Sequence, residues 1–231
     1  MTRTYVETFD SGAAGWWGWI SNAGGPRPLE HAGGVVTSRS PWWIDYNHAP
    51  PGAGYLHMLF CTYTQGPIAE HYAEVGGPNA LVAGGFPTDY TNARFTLRLK
   101  GELELRGSQL VLLVQAALGG MASAWVLAGQ PIPVTGEWTT QTVTAVPDPQ
   151  QWTCMGARHD RGDYYGRIDL ATVLRDVNID LMFILFPLHP RPMGPIAGDP
   201  HLLRPGKDYP VWQSSLPEGY VMLDALEIEF A

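Results

Sequence analysis

Over much of the chain, apolar and polar residues alternate with a period of two. Thr4–Phe9 alternates and stops at Asp10-Ser11-Gly12, a cluster of turn-forming residues. Val35 and Val36 mark a short second strand, and Tyr55–Thr64 is rich in strand formers. In Ala93–Leu105, Phe95, Leu97 and Leu99 fall on one face, with Thr96, Arg98 and Lys100 on the other. Gly101 within that run suggests a bulge. Gln109–Leu118 is almost continuously apolar, as expected of a central strand buried on both faces, and Arg106-Gly107 suits a tight turn joining it to the preceding strand. Ala124–Leu127, Trp138–Val146 and Ile179–Phe186 read as further strands. Tyr220–Phe230 closes the chain with a broken alternation that leaves its register open. The period changes to that of a helix once: Asp169 can cap, and Leu170, Val173, Leu174 and Val177 follow at i, i+3, i+4 and i+7.

Two long irregular stretches, Pro41–Gly54 and Pro187–Pro217, interrupt the strands, and loops of that length inside a domain are often functional. No internal repeat or low-complexity linker divides the chain. The pattern predicts one all-β domain over 1–231: a two-sheet antiparallel β-sandwich of the jelly-roll kind, with one short helix and two long loops. A hydrophobic fraction of 45% with only 16% charged residues supports a folded core.

Charge narrows the partners. The net charge is -8, and no Lys/Arg cluster offers the footprint that a phosphate backbone or an anionic membrane requires. Strongly acidic polysaccharides are disfavoured unless a local basic patch overrides the global field. No run approaches the roughly 20 apolar residues of a membrane helix. Met1–Asp10 lacks the basic-then-apolar pattern of a leader, so the expectation is a cytoplasmic chain. Cys61 and Cys154 match no zinc spacing; they read as two buried thiols, with a single disulfide as the alternative.

The densest chemistry lies between Ser40 and His57. Trp42, Trp43, Asp45, Tyr46, Asn47, His48, Tyr55 and His57 share one Pro/Gly-framed stretch. Sugars present apolar C–H faces and hydroxyl edges, so a site for them needs flat aromatic rings beside short polar side chains. Trp42, Trp43, Asn47 and His57 are candidate ligand-binding residues. His48 and Tyr46 are the acid/base candidates, with Asp45 placed to orient the imidazole. The alternative is a core-packed loop whose indoles fill the sandwich. A second cluster, Arg158-His159-Asp160-Arg161-Gly162-Asp163-Tyr164-Tyr165, offers Arg158 and His159 as further ligand contacts, or forms a solvated loop with internal ion pairs. Asp199-Pro200-His201 and Lys207-Asp208-Tyr209, with Trp212 nearby, could wall a cleft opposite Pro41–Gly54. Glu102 and Glu104 share a strand face, but the adjacent Lys100 and Arg106 point to surface pairing. Phosphate-loop, dinucleotide, serine-elbow and zinc-protease motifs are absent.

Tyr5-Val6-Glu7-Thr8-Phe9-Asp10-Ser11-Gly12, followed by Gly15-Trp16, resembles the first strand of carbohydrate-binding modules with the galactose-binding-like jelly roll. Gly136-Glu137-Trp138-Thr139-Thr140-Gln141-Thr142-Val143 is similar to their middle strand, and Leu223-Asp224-Ala225-Leu226-Glu227-Ile228 to their closing strand. The resemblance implies adjacent first and last strands, a carbohydrate ligand, and a structural calcium near the strand meeting point, with Glu7, Asp10 and Asp224 as its acidic ligands. The Gln-x-His strand of alginate-lyase jelly rolls is absent, because Gln115 is followed by Ala116-Ala117. The expectation is therefore a glycan- or glycoside-binding protein. The alternatives are a carbohydrate-active lyase, hydrolase or isomerase, and a structural protein that uses its aromatics to assemble, a homo-oligomer included.

Overall fold

The computed structural model describes residues 3–20, 24–45, 54–156, 164–199 and 202–231. Its strands, in chain order, are β1 (Thr4–Glu7), β2 (Gly18–Trp19), β3 (Pro26–Arg27), β4 (Glu30–Ala32), β5 (Val35–Arg39), β6 (Ile44–Asp45) and β7 (Tyr55–Tyr63). They continue as β8 (Arg94–Glu104), β9 (Gln109–Leu118), β10 (Met121–Val126), β11 (Thr139–Thr144), β12 (Thr153–Cys154), β13 (Asp180–Leu188) and β14 (Glu218–Glu229). One six-stranded sheet runs β11-β8-β14-β5-β4, with β1 pairing the far half of β14; the other runs β12-β10-β9-β13-β7-β6. All strand pairings in both sheets are antiparallel. β2 and β3 form a separate ribbon. The two-sheet sandwich expected from the alternation is present, and the first and last strands are neighbours.

The two sheets enclose a cluster that runs from Tyr5 to Phe230 and mixes residues of both, with Phe95 of β8 edge-on to Phe183 of β13 at 6.5 Å. The second sheet is apolar on its other face as well. Along β9, Leu110, Leu112 and Val114 face the first sheet, while Val111 and Leu113 join a second cluster with Met58, Met182 and Ile184. Period-two geometry makes this unavoidable for an all-apolar strand.

The turn at Arg106-Gly107 exists, with φ of 50° and 90°, but it does not close a hairpin. It passes the chain from β8 in the first sheet to β9 in the second. Composition explains the difference: β8 alternates and suits a sheet with one solvated face, whereas β9 needs cover on both. The bulge also lies elsewhere. It is at Asp224 of β14, between the pairs Leu223–Leu99 and Ala225–Arg98. The extra residue shifts the phase by one, so Val221 and Leu223 before it and Leu226 and Ile228 after it all point inward. That phase shift is the broken alternation seen in the sequence.

Four short helices occur among the described residues where the sequence predicted one. The expected helix, α4 (Leu170–Arg175), is capped by the Asp169 carboxylate and buries Leu170, Val173 and Leu174. Helices α1 (Gly66–His71), α2 (Ala73–Gly76) and α3 (Ala80–Ala83) each span one turn or little more, too short to display a helical period. No helix among the described residues is long and apolar enough to cross a membrane. Both cysteines are free, Cys61 buried and Cys154 half-buried.

Gly101 serves close approach rather than a bulge: a Cβ built there would lie 2.2 Å from the Tyr220 carbonyl oxygen of β14. Gly101→Ala should therefore lower the unfolding free energy by about 2–3 kcal/mol, read as a lower urea midpoint at unchanged m-value. Gly136→Ala, where a Cβ meets nothing within 4 Å, should change stability by less than about 1 kcal/mol.

Candidate functional site

Two tryptophan dipeptides run along the β7 edge of the second sheet. Trp17 exchanges backbone hydrogen bonds with Cys61 of β7, and two residues after Trp43, Asp45 of β6 pairs with Leu56. Successive residues of an extended chain point to opposite faces. Trp16 and Trp42 accordingly enter the cluster between the sheets, while Trp17 and Trp43 lie against the second cluster on the outer face. Ile20 bridges Trp42, which brings the β2 segment beside the β6 segment.

The outward rings form a row. Trp43 stacks on Trp19 at 4.9 Å and 22°, Trp19 meets Trp17 at 5.8 Å, and Trp17 stacks on Tyr72 at 5.6 Å and 18°. Tyr63 joins Trp17 at 5.6 Å. These separations lie in the range of favourable aromatic pairs. Trp19, Trp43, Tyr63 and Tyr72 are half-buried. The indole N–H groups of Trp17 and Trp19 are buried without an acceptor among the described residues, which leaves two costly unsatisfied donors in the row.

Trp42 lines two hollows. The larger, about 420 Å³, opens at the end of the sandwich between Ser40–Trp42, His57 and Gln213–Glu218, within the usual size of ligand sites. The smaller, about 190 Å³, also has Trp42 on its wall. Trp19, Ile20 and Leu29 line it, with Arg27, Glu30 and Arg39 also on its wall. The Trp42 indole N–H donates to Ser38 Oγ at 2.9 Å, which fixes the ring.

His57, on β7, faces the inter-sheet side and lines the larger hollow at 1% exposure. Its Nδ1 lies 3.0 Å from the Trp43 carbonyl oxygen. A carbonyl can only accept, so Nδ1 carries the proton and Nε2 keeps its lone pair in the neutral ring. Burial holds its pKa at about 4 rather than 6.5, opposed in part by the bond to Trp43. Near neutral pH the ring is an uncharged hydrogen-bond acceptor.

Of the residues singled out by sequence, Trp42, Trp43 and His57 converge here. The end of the second long loop converges on the same region: Gln213 and Leu216 line the larger hollow, and the Tyr55 hydroxyl donates to the Leu203 carbonyl at 3.0 Å. Asp45 is fully buried on β6. The Cys61 thiol is pushed up first by burial, then by the charges of Asp180 and Asp45. Tyr46, Asn47, His48, Arg158 and His159 lie outside the described residues, as do Pro200 and His201. Tyr165 bridges Ala122 near the hairpin tip of β9 and β10, at the end of the second sheet away from His57, so it does not join the hollow. Glu104 pairs with Arg106 as surface pairing requires.

Each of the three carboxylates of the calcium expectation makes a contact within the chain. Glu7 accepts from the Phe9 N–H at 2.8 Å, Asp10 from the Thr8 hydroxyl at 2.7 Å, and Asp224 pairs with Arg98. Among the described residues no group of three or more His, Cys, Asp or Glu side chains is arranged to hold a metal ion. Sequence reasoning missed Trp17, Trp19, Tyr63, Tyr72 and the hollow-lining Arg27. The signal for the first two was present in Gly15-Trp16-Trp17-Gly18-Trp19, as dense in aromatics as Pro41–Tyr46.

No protein-family model matches the chain, and no curated protein matches it. A similar solved structure is the L4b domain of human laminin alpha-2, at 9% identity over 99% of this chain and 97% of that one, with a TM-score of 0.41.

Stability should report on His57. The unfolded imidazole takes up a proton below about 6.5, and the folded one only near 4. Stability should therefore fall as pH drops through that window, by about 3 kcal/mol in total. His57→Gln should show a flatter pH dependence between pH 4 and 6.5; matching slopes in urea denaturation would place the buried imidazole elsewhere.

Proposed function

We propose that this protein binds a glycan or glycoside at the β7 edge of its second sheet. The binding surface comprises the half-buried Trp43 and Trp19, backed by the buried Trp17, and the two hollows that Trp42 lines. One observation carries the reading: half-buried stacked indoles run directly into a hollow with hydrogen-bonding walls. Trp19 both stacks on Trp43 at 4.9 Å and lines the smaller hollow, so flat apolar rings and polar edges are contiguous. A sugar ring needs both, rings for its C–H face and donors or acceptors for its hydroxyls. The larger hollow adds the neutral His57 and the Ser40 and Gln213 side chains on its wall.

The first sheet supplies an internal comparison. Trp138 is held there between Arg98 and Lys100, each 4.9 Å from its ring, and no described hollow adjoins it. A lone ring beside two cations lacks the adjoining polar-walled hollow that Trp19 has.

Titration of the full chain with a panel of neutral and acidic oligosaccharides, followed by calorimetry and tryptophan fluorescence, tests the proposal. At least one sugar should bind with a fluorescence change. Trp43→Ala and Trp19→Ala should each weaken it about tenfold, the loss of about 1.4 kcal/mol expected for one stacking ring. Trp138→Ala should leave affinity unchanged. Binding by no sugar, or affinity lost only with Trp138, overturns the proposal. Product analysis of the same mixtures separates binding from cleavage.

A further inference from the structure

We infer that the smaller hollow recognises a sugar unit bearing a carboxylate, a uronate, through Arg27; this rests on the glycan reading above and names the class of ligand. The hollow has an apolar wall of Trp19, Ile20 and Leu29, and three charged residues, Arg27, Arg39 and Glu30. Two of the three are arginines, in a chain whose net charge is -8 with only 14 Lys and Arg in all. The two guanidinium groups stand in different situations. Arg39 is held in place: its Nε donates to Glu30 at 3.3 Å, and its guanidinium lies 4.9 Å from the Tyr220 ring centre. That pair neutralises Arg39 locally. Arg27 has no such carboxylate partner among the described residues. Its guanidinium makes one hydrogen bond there, from Nη1 to the adjacent Pro26 carbonyl at 3.2 Å.

A guanidinium presents five N–H donors in a planar fork, and a carboxylate accepts two of them side by side. Arg27 therefore retains the donors for a bidentate contact. Arg27 is exposed on the wall of the hollow, and it pairs with Gly18 of β2, the residue before Trp19, so the arginine and the tryptophan belong to one two-stranded ribbon. Gly18 also lines the hollow. A uronate has the matching anatomy, an apolar ring face with a carboxylate in or near the ring plane. The chain's overall negative charge disfavours a polyanion along its whole length. The fit is to a single acidic unit at this position, flanked by neutral ones.

The test uses a matched pair of oligosaccharides that differ only at one residue, a glucuronate in one and a glucose in the other. Each is titrated calorimetrically into the full chain at low salt and at about 0.5 M salt. The wild type should prefer the acidic member by about tenfold at low salt, and salt should narrow the ratio. Arg27→Gln should bring the ratio close to one. Arg27→Lys, which keeps the charge but loses the fork, should fall between. Arg94→Gln, which removes a pair with Glu229 on the first sheet, should keep the wild-type preference. Equal affinity of the wild type for both members overturns the uronate assignment and leaves the glycan reading standing. Binding of neither overturns both. A preference that survives Arg27→Gln assigns the carboxylate to another residue and also overturns the inference. Unchanged melting temperatures confirm that the variants are folded.

Discussion

The second sheet is apolar on both faces, and covering its outer face is the constraint from which the rest of the molecule follows. An all-apolar β9 and β13 place Val111, Leu113, Met182 and Ile184 away from the inter-sheet core, and all four are buried. Left in water, such a face would lose on the order of 25 cal/mol for each square ångström of apolar surface. The chain covers part of it at the β7 edge, with extended segments that each contain a tryptophan pair. Because neighbours on an extended segment point opposite ways, each pair places one indole between the sheets and one over the outer face. Trp16, stacked on Phe183 at 5.9 Å, anchors the segment whose next residue, Trp17, is the outer cover.

The candidate site is a product of that arrangement. An indole used as cover at a sheet edge is buried against the sheet and half-open on its other side, as Trp19 and Trp43 are. Rings in series along an edge form a row without any requirement from a ligand. The inward members do the complementary job. Trp42 reaches between the sheets where β5 ends and β14 begins, next to two hydrogen bonds between Ser40 and Gly219: the Ser40 N–H donates to the Gly219 carbonyl, and the Gly219 N–H to Ser40 Oγ. Both hollows have this wide, rigid ring on their walls. His57 is neutral for the same reason that Trp42 is buried: both face the low-dielectric interior at the sandwich end.

Much of this was legible in the residues, and the failures have physical causes. Strands with clear alternation, such as Arg94–Glu104, and runs without any, such as Gln109–Leu118, were found within a residue or two because the period of two is a direct image of burial. The Asp169-capped helix was visible because cap and period agree. The change of sheet at Arg106-Gly107 was not, since a turn's backbone chemistry is local while its role depends on where the next strand finds cover. The bulge at Asp224 left a trace, the broken alternation, but single-chain pattern cannot say which residue is extra. At the site, residue type pointed to Trp42, Trp43 and His57. It passed over Trp19 and Arg27 because their significance comes from the β2–β3 ribbon folding against Trp43, a contact between segments some twenty residues apart.

The two outer faces of the sandwich also divide the chemistry between them. On the first sheet the exposed positions pair across strands: Arg94 with Glu229, and Arg98 with Asp224. Such exposed pairs contribute roughly 0–1 kcal/mol each and leave the face well solvated. A face of that kind needs no cover. The second sheet is the reverse, with an apolar outer face and an aromatic edge beside the β2–β3 ribbon, whose Arg27 has no carboxylate partner among the described residues. Half-open ring faces beside a polar-walled hollow suit a partner that offers both hydrogen-bonding groups and apolar surface. That asymmetry, more than the size of either hollow, is what directs the functional reading to the β7 edge.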